Sequence, residues 1–238
     1  MDVKGHRYDI GSIHVSECNI VVRTLLLDLD GTLVDTVPDL AAALNRLMLA
    51  RGLPIFSHPQ VAAMVGDGVA VLAARAFAAH DRQPDATAVA DLSADYTAHV
   101  AVASKLYPYV LPVLIGLTRE GWRLAVCTNK PEKAARLLLH AVGVLPLLYA
   151  VGGGDSFAVR KPDPAHLLAT LCRAGGNADA ALMVGDHRND VVAASGAGMP
   201  CVFAGWGYGP IGMAEGSVAV AGDIAEVAEI ANRLLPAR

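Results

Sequence analysis

VVRTLLLDLDGTL, residues 21–33, is the stretch on which the fold turns. Val21 to Leu27 is a short, mostly apolar run with the length and composition of a buried strand. It stops at Asp28-Leu29-Asp30-Gly31-Thr32-Leu33, two carboxylates two residues apart and a glycine that permits a tight turn close to a ligand. Two carboxylates at one strand end repel, so the site must hold a cation or keep one of them protonated. The same Asp-x-Asp pattern also occurs in turns and helix caps. The rest of the chain has to decide between these readings.

Working outward, short apolar runs alternate with longer helical patterns. Further strands are expected at Arg123–Thr128, Leu147–Val151, Ala181–Val184, Pro200–Ala204 and Ser217–Val220. Helices are expected over about 110–120, 131–142, 163–174, 189–197 and 223–234. Pro131, Pro162 and Pro164 stand at helix starts, and Gly121, Gly143 and Gly175 stand where helices stop. This alternation predicts an α/β fold, a doubly wound parallel sheet with helices on both faces. Ligands of such sheets sit beyond the carboxyl ends of the strands.

One segment breaks the rhythm. Residues 35–105 carry no strand pattern and read as an inserted helical cap, leaving 21–34 and 106–238 as the core and 1–20 as an N-terminal extension. Asp35 or Thr36 can cap a helix opening at Pro38, with Leu40, Leu44, Leu47 and Met48 on one face. Ser57 and Gln60 read as a capping box for a short helix reaching Val65. Two more helices are expected over about 68–80 and 85–104.

Composition narrows the function. Of 238 residues, 54% are hydrophobic, enough for a buried core, and the formal net charge is only −4. No basic stripe suits a nucleic acid. No uncharged apolar run reaches the roughly 20 residues a membrane span needs, and no signal peptide precedes the core. Cys18, Cys127, Cys172 and Cys201 form no CxxC pair, so they read as reduced thiols of a cytoplasmic protein, monomer or homodimer.

Three further signals fall at strand ends. Thr128-Asn129 offers a hydroxyl and an amide to an oxyanion. Lys161-Pro162 offers an ammonium. Gly185-Asp186-His187-Arg188-Asn189-Asp190 adds two carboxylates. A Thr-Asn turn, a solvated lysine and acidic helix caps are each plausible alone, but not all on one sheet edge. Asp28, Asp30, Asp186 and Asp190 with a phosphate dianion carry roughly −6, offset here by Lys161 alone. A hard divalent cation is required, and Mg²⁺ is the usual companion of phosphate.

The ordered set DLDGTL, CTN, KP and GDHRND resembles the haloacid dehalogenase superfamily over nearly the whole chain after residue 20. The resemblance implies that Asp28 is a nucleophile forming an aspartyl-phosphate and that Asp30 is the general acid and base. It implies that Thr128, Asn129 and Lys161 hold the phosphate. It also implies metal ligation by Asp28, the main-chain carbonyl of Asp30, and Asp186, with Asp190 orienting water or Lys161. Dehalogenases lack an acid at the position of Asp30, so the substrate implied is a phosphate ester.

Within the superfamily, VGDG (65–68) before LAARAF, GGD (153–155) before KPDP, and VGDHRND are similar to the phosphoglycolate phosphatases. Sugar phosphomutases and pyrophosphatases share the core, and a silent binding module would have lost one of the site residues that this chain keeps. His187 stands where serine is common, and Tyr109 stands where glycine is frequent. For a small phosphorylated acid, Gly66 to Gly68 opens a helix suited to an anion, and Arg75 is a possible carboxylate clamp.

Overall fold

The computed structural model describes residues 22–237. The proposed extension at 1–20, Val21 and Cys18 lie outside them. Six strands form one parallel sheet: β1 (Thr24–Leu27), β4 (Arg123–Cys127), β5 (Leu148–Gly152), β6 (Ala181–Gly185), β7 (Cys201–Ala204) and β8 (Ala219–Ala221). Their spatial order is β5-β4-β1-β6-β7-β8. After β1 the chain extends the sheet to one side through β4 and β5, then returns to pair β6 on the other side of β1. That reversal opens a crevice at the end of β1.

All four residues of β1 are buried. Leu25 and Leu27 join one core cluster with Leu124, Val126, Leu182 and Val184, whereas Leu26 joins the other with Ala125, Met183 and Phe203. The two-residue side-chain period of a strand sends successive leucines to opposite faces, and both faces are covered. Helices α5 (Val110–Arg119), α6 (Glu132–Ala141) and α9 (Ile224–Leu234) contribute to the first cluster. Helices α7 (Pro164–Arg173) and α8 (Arg188–Gly196) contribute to the second.

The cap is four helices, α1 (Val37–Ala50), α2 (His58–Ala62), α3 (Val69–Ala78) and α4 (Ala88–Ala98). Leu40, Leu44, Leu47 and Met48 all turn inward from α1. The capping box exists, with Ser57 N–H donating to Gln60 Oε1 at 2.9 Å, but α2 stops short of Val65. The fourth helix also ends early. Buried Asp39 accepts from the main-chain N–H groups of Ala103 and Ser104, at 2.9 and 2.8 Å, and fixes the segment beyond α4 as a turn.

Entry to and exit from the cap run side by side. β2 (Val34–Asp35) and β3 (Lys105–Leu106) pair antiparallel, a ribbon too short to leave a period in the sequence. Tyr208, from the loop after β7, braces it: its hydroxyl donates to Asp35 Oδ1 at 2.8 Å and accepts from Thr36 N–H at 2.6 Å. The start of α1 is thus held from outside the cap.

Tyr109, just past the return strand, adopts the left-handed conformation (φ 65°) and is 64% exposed. A side chain there is disfavoured by about 1–2 kcal/mol, partly offset by the greater unfolded-state freedom of glycine. Tyr109→Gly is expected to stabilise the protein by up to about 1 kcal/mol. Urea unfolding checks this; a midpoint lowered by the substitution contradicts it.

Candidate active site

The β1 register sets Leu27 opposite both Val126 and Val184, so Asp28, Thr128 and Asp186 emerge together at the carboxyl edge. Asp28 N–H donates to Val184 O at 2.9 Å, which ties the end of β1 to β6. Gly31 then turns with φ 81°, and a side chain there would overlap the Asp186 carboxylate. The glycine lets the β1 loop lie against the third acid.

Lys161 is the hub. Its Nζ lies 3.0 Å from Asp28 Oδ1 and 2.5 Å from Asp190 Oδ1, with 2% of the residue exposed. Burial works against the ammonium, but Asp190 and Asp28 outweigh it and hold its pKa above the ordinary value. His166 fixes the lysine's main chain. Burial, then Lys161, push its imidazole down to about 4, so it is neutral. Nδ1 accepts from Lys161 N–H at 3.1 Å, which leaves Nε2–H to donate to Gly153 O at 3.1 Å.

The acids are short of positive charge. Oxygens of Asp28, Asp186 and Asp190 all lie within 4.8 Å of one another. Burial, then Asp28 and Asp190, push Asp186 up to about 8, and burial with Asp28 raises Asp190 to about 7. Three converging buried carboxylates, two of them held back from ionising, fit a divalent cation. Asp186 is aimed by Thr32 Oγ1, donating at 3.1 Å, and by Tyr208 N–H at 2.7 Å. Both oxygens of Asp190 are already engaged, one by Lys161 and one by His187 N–H at 3.0 Å. Because one of those partners is the Lys161 ammonium itself, Asp190 is placed to orient that lysine.

Three site expectations need correction. The charge count omitted Lys130, whose buried ammonium lies 2.8 Å from Asp30 Oδ1. Burial opposes its charge, but Asp30 prevails and raises its pKa. The signal was available: Lys130 directly follows Thr128-Asn129 at the same strand end. The Asn129 side-chain amide is not free for an oxyanion, because Nδ2 donates to Gly66 O and Lys161 O, both at 3.0 Å. Its Oδ1 is buried without a partner. Arg75 does not line the cavity; it donates to Asp67 Oδ2 at 2.6 Å and to Met64 O at 2.8 Å. An acid two residues before its helix holds it on the cap's own surface.

Cap and core together line a cavity of about 90 Å³, space for several waters, since one needs roughly 10–15 Å³. Asp28, Asp30, Thr128 and Asp186 form its floor, with Gly66, Gly68 and Val69 at the opening of α3 beside them. Leu40, Val65, Leu72 and Leu92 give it an apolar cap wall. Asn189 Nδ2 donates to Asp67 Oδ1 at 2.7 Å, and the His187 ring packs against Gly66, which closes the junction.

This constellation on this sheet defines a hydrolase class, and the model of the haloacid dehalogenase-like hydrolases matches residues 22–198. The chain belongs to that family. Phosphoglycolate phosphatase of Rhodospirillum rubrum is 43% identical over 216 residues, 87% of this chain and 90% of its own length. Phosphoglycolate phosphatase of Caulobacter vibrioides is 41% identical over 78% of this chain and 80% of its own length. The crystal structure of a predicted phosphoglycolate phosphatase from Haemophilus somnus superposes with a TM-score of 0.81 at 31% identity, covering 88% of this chain and 97% of that one. Within the family the chain is a phosphatase, and its substrate is a small phosphate ester. Among the described residues no helix is long and apolar enough to cross a membrane.

Proposed function

We propose that the chain hydrolyses 2-phosphoglycolate, or a closely similar small phosphorylated acid, through an aspartyl-phosphate on Asp28. The observation that carries this reading is the buried Asp28 carboxylate beside Lys161, with Asp30 two residues on in the same cavity. Asp28 attacks phosphorus as the ester P–O bond breaks, and Asp30 gives its proton to the departing oxygen. Asp30 then takes a proton from the water that attacks the acyl-phosphate, and inorganic phosphate leaves. Lys161 and the Thr128 hydroxyl hold the phosphate oxygens. A Mg²⁺ ion held by Asp28, Asp186 and the main-chain carbonyl of Asp30 would screen the charge between nucleophile and phosphate. Asp190 keeps Lys161 oriented.

The relatives named phosphoglycolate phosphatase support the substrate, and a small cavity between cap and core agrees with it. Among the described residues buried Cys127 and Cys201 are unpaired, in keeping with a reducing, cytoplasmic setting.

Phosphate release from a panel of small phosphomonoesters, with and without Mg²⁺, tests the reading. The expected result is Mg²⁺-dependent release, fastest from 2-phosphoglycolate and needing no bisphosphate activator. Dependence on such an activator would indicate a mutase instead, and a rate indifferent to Mg²⁺ overturns the metal assignment. Asp186→Ala is expected to raise the half-saturating Mg²⁺ concentration by roughly 10- to 100-fold or more. An unchanged Mg²⁺ titration would remove Asp186 from the ligand set.

A further inference from the structure

We propose that Lys130 and Tyr96 form a subsite for the second anionic group of the substrate, the carboxylate of a phosphorylated hydroxy acid. The inference rests on the phosphatase reading above and adds the residues that select the acid. A carboxylate needs a cation or aimed donors in so apolar a cavity. Lys161 is committed to Asp28 and Asp190, and Arg75 is committed to Asp67 outside the cavity.

Lys130 is placed differently. It lines the cavity and is 5% exposed, and among the described residues its only carboxylate partner is Asp30. An ammonium has three donors. One serves Asp30 Oδ1 at 2.8 Å, and the group sits 4.2 Å over the ring of Tyr96, so hydrogen-bonding capacity remains.

Tyr96 supplies the independent observation. It comes from α4 of the cap, lines the same cavity and is 5% exposed, yet no hydrogen-bond partner lies within 3.5 Å of its hydroxyl, the neighbouring Lys130 ammonium interacting with it only from farther off. A buried hydroxyl without a partner weakens a fold, which is reason to look for the ligand that uses it. Burial raises this phenol to about 12, so it keeps its proton and can donate. An ammonium and a phenol side by side suit a carboxylate, each giving one charge-assisted hydrogen bond.

The reach is right. In 2-phosphoglycolate a single methylene separates the ester oxygen from the carboxylate. An ester oxygen that takes its proton from Asp30 lies within hydrogen-bond distance of that residue, and the Lys130 ammonium is already 2.8 Å from it. The carboxylate therefore falls beside Lys130 when the ester oxygen falls beside Asp30. Because Tyr96 belongs to the cap and Lys130 to the core, a carboxylate on both also bridges the two across the cavity.

The experiment compares kcat/KM for 2-phosphoglycolate and ethyl phosphate, which keeps an alkyl leaving oxygen and lacks the carboxylate. In Lys130→Met the preference for 2-phosphoglycolate is expected to fall roughly 10- to 100-fold, the scale of a hydrogen bond to a charged group. In Tyr96→Phe, which keeps the ring under the ammonium, it is expected to fall roughly 3- to 10-fold. Circular dichroism verifies folding; if Lys130→Met does not fold, Lys130→Gln answers the same question. Equal losses on both esters would overturn the subsite, because a lysine that only positions Asp30 affects every alkyl phosphate alike. An unchanged ratio in Tyr96→Phe overturns the tyrosine's part. A wild-type enzyme indifferent to the carboxylate overturns the substrate reading itself, whereas a wild-type preference that survives loss of Lys130 overturns only this assignment.

Discussion

Asp28→Asn is expected to lower turnover by on the order of 10⁵-fold or more, the scale on which loss of a covalent nucleophile is felt. The amide is isosteric but has no anionic oxygen to attack phosphorus. The fold should persist, because Lys161 keeps Asp190 as a counter-charge and the Asp28 main-chain bond to Val184 is untouched. The substitution also relieves repulsion, since Asp28 is among the causes that raise Asp186 and Asp190. Thermal stability in metal-free buffer should therefore not fall. Wild-type protein quenched in acid during turnover should carry an acid-stable, base-labile phosphate on the peptide containing Asp28. Phosphate found on a different side chain, or substantial turnover by Asp28→Asn, would sink the mechanism.

The floor of this site was legible because its parts follow apolar strands. β1, β4 and β6 are buried runs, and a residue just past such a run in a doubly wound sheet lands at the ligand edge. Asp28, Thr128 and Asp186 could be placed by that rule alone. What the rule does not give is side-chain direction. Asn129 and Lys130 are neighbours, yet the asparagine turns to the carbonyls of Gly66 and Lys161 while the lysine turns to Asp30. Arg75 was drawn to the cavity by its charge, but Asp67, eight residues earlier, captures it. Tyr208 was missed for a different reason. Its main-chain N–H serves Asp186 and its hydroxyl serves Asp35 and Thr36, more than 170 residues away in sequence, and no local pattern carries such a link. The β2–β3 ribbon fails the same way, because two residues per strand show no period. Local periodicity wrote the sheet and the helices; tertiary closure wrote the cap junction.

Asp30→Asn separates acid and base catalysis from charge or metal positioning. The variant keeps the main-chain carbonyl assigned to the metal and an amide oxygen that can still accept from Lys130, 2.8 Å away in the wild type. What it removes is the proton that can be given and taken back. That proton matters most when the leaving group is a poor one, such as the alkoxide of glycolate, and far less for p-nitrophenolate, which is stable as an anion. The expected loss on alkyl phosphates is on the order of 10²–10⁴-fold, the usual range for a positioned general acid. Formation of the aspartyl-phosphate from p-nitrophenyl phosphate should fall much less. Its hydrolysis should still slow, because the attacking water has lost its base. Steady-state turnover mixes the two steps, so the comparison belongs to the first, read as the burst of released alcohol in rapid-quench experiments. Lys130 sharpens the outcome: an asparagine no longer balances its charge, so some loss of stability is expected and must be measured alongside. Stability affects both substrates equally and cannot imitate a leaving-group dependence. If the burst falls by the same factor for the alkyl and the aryl ester, Asp30 is not the acid that serves the leaving oxygen.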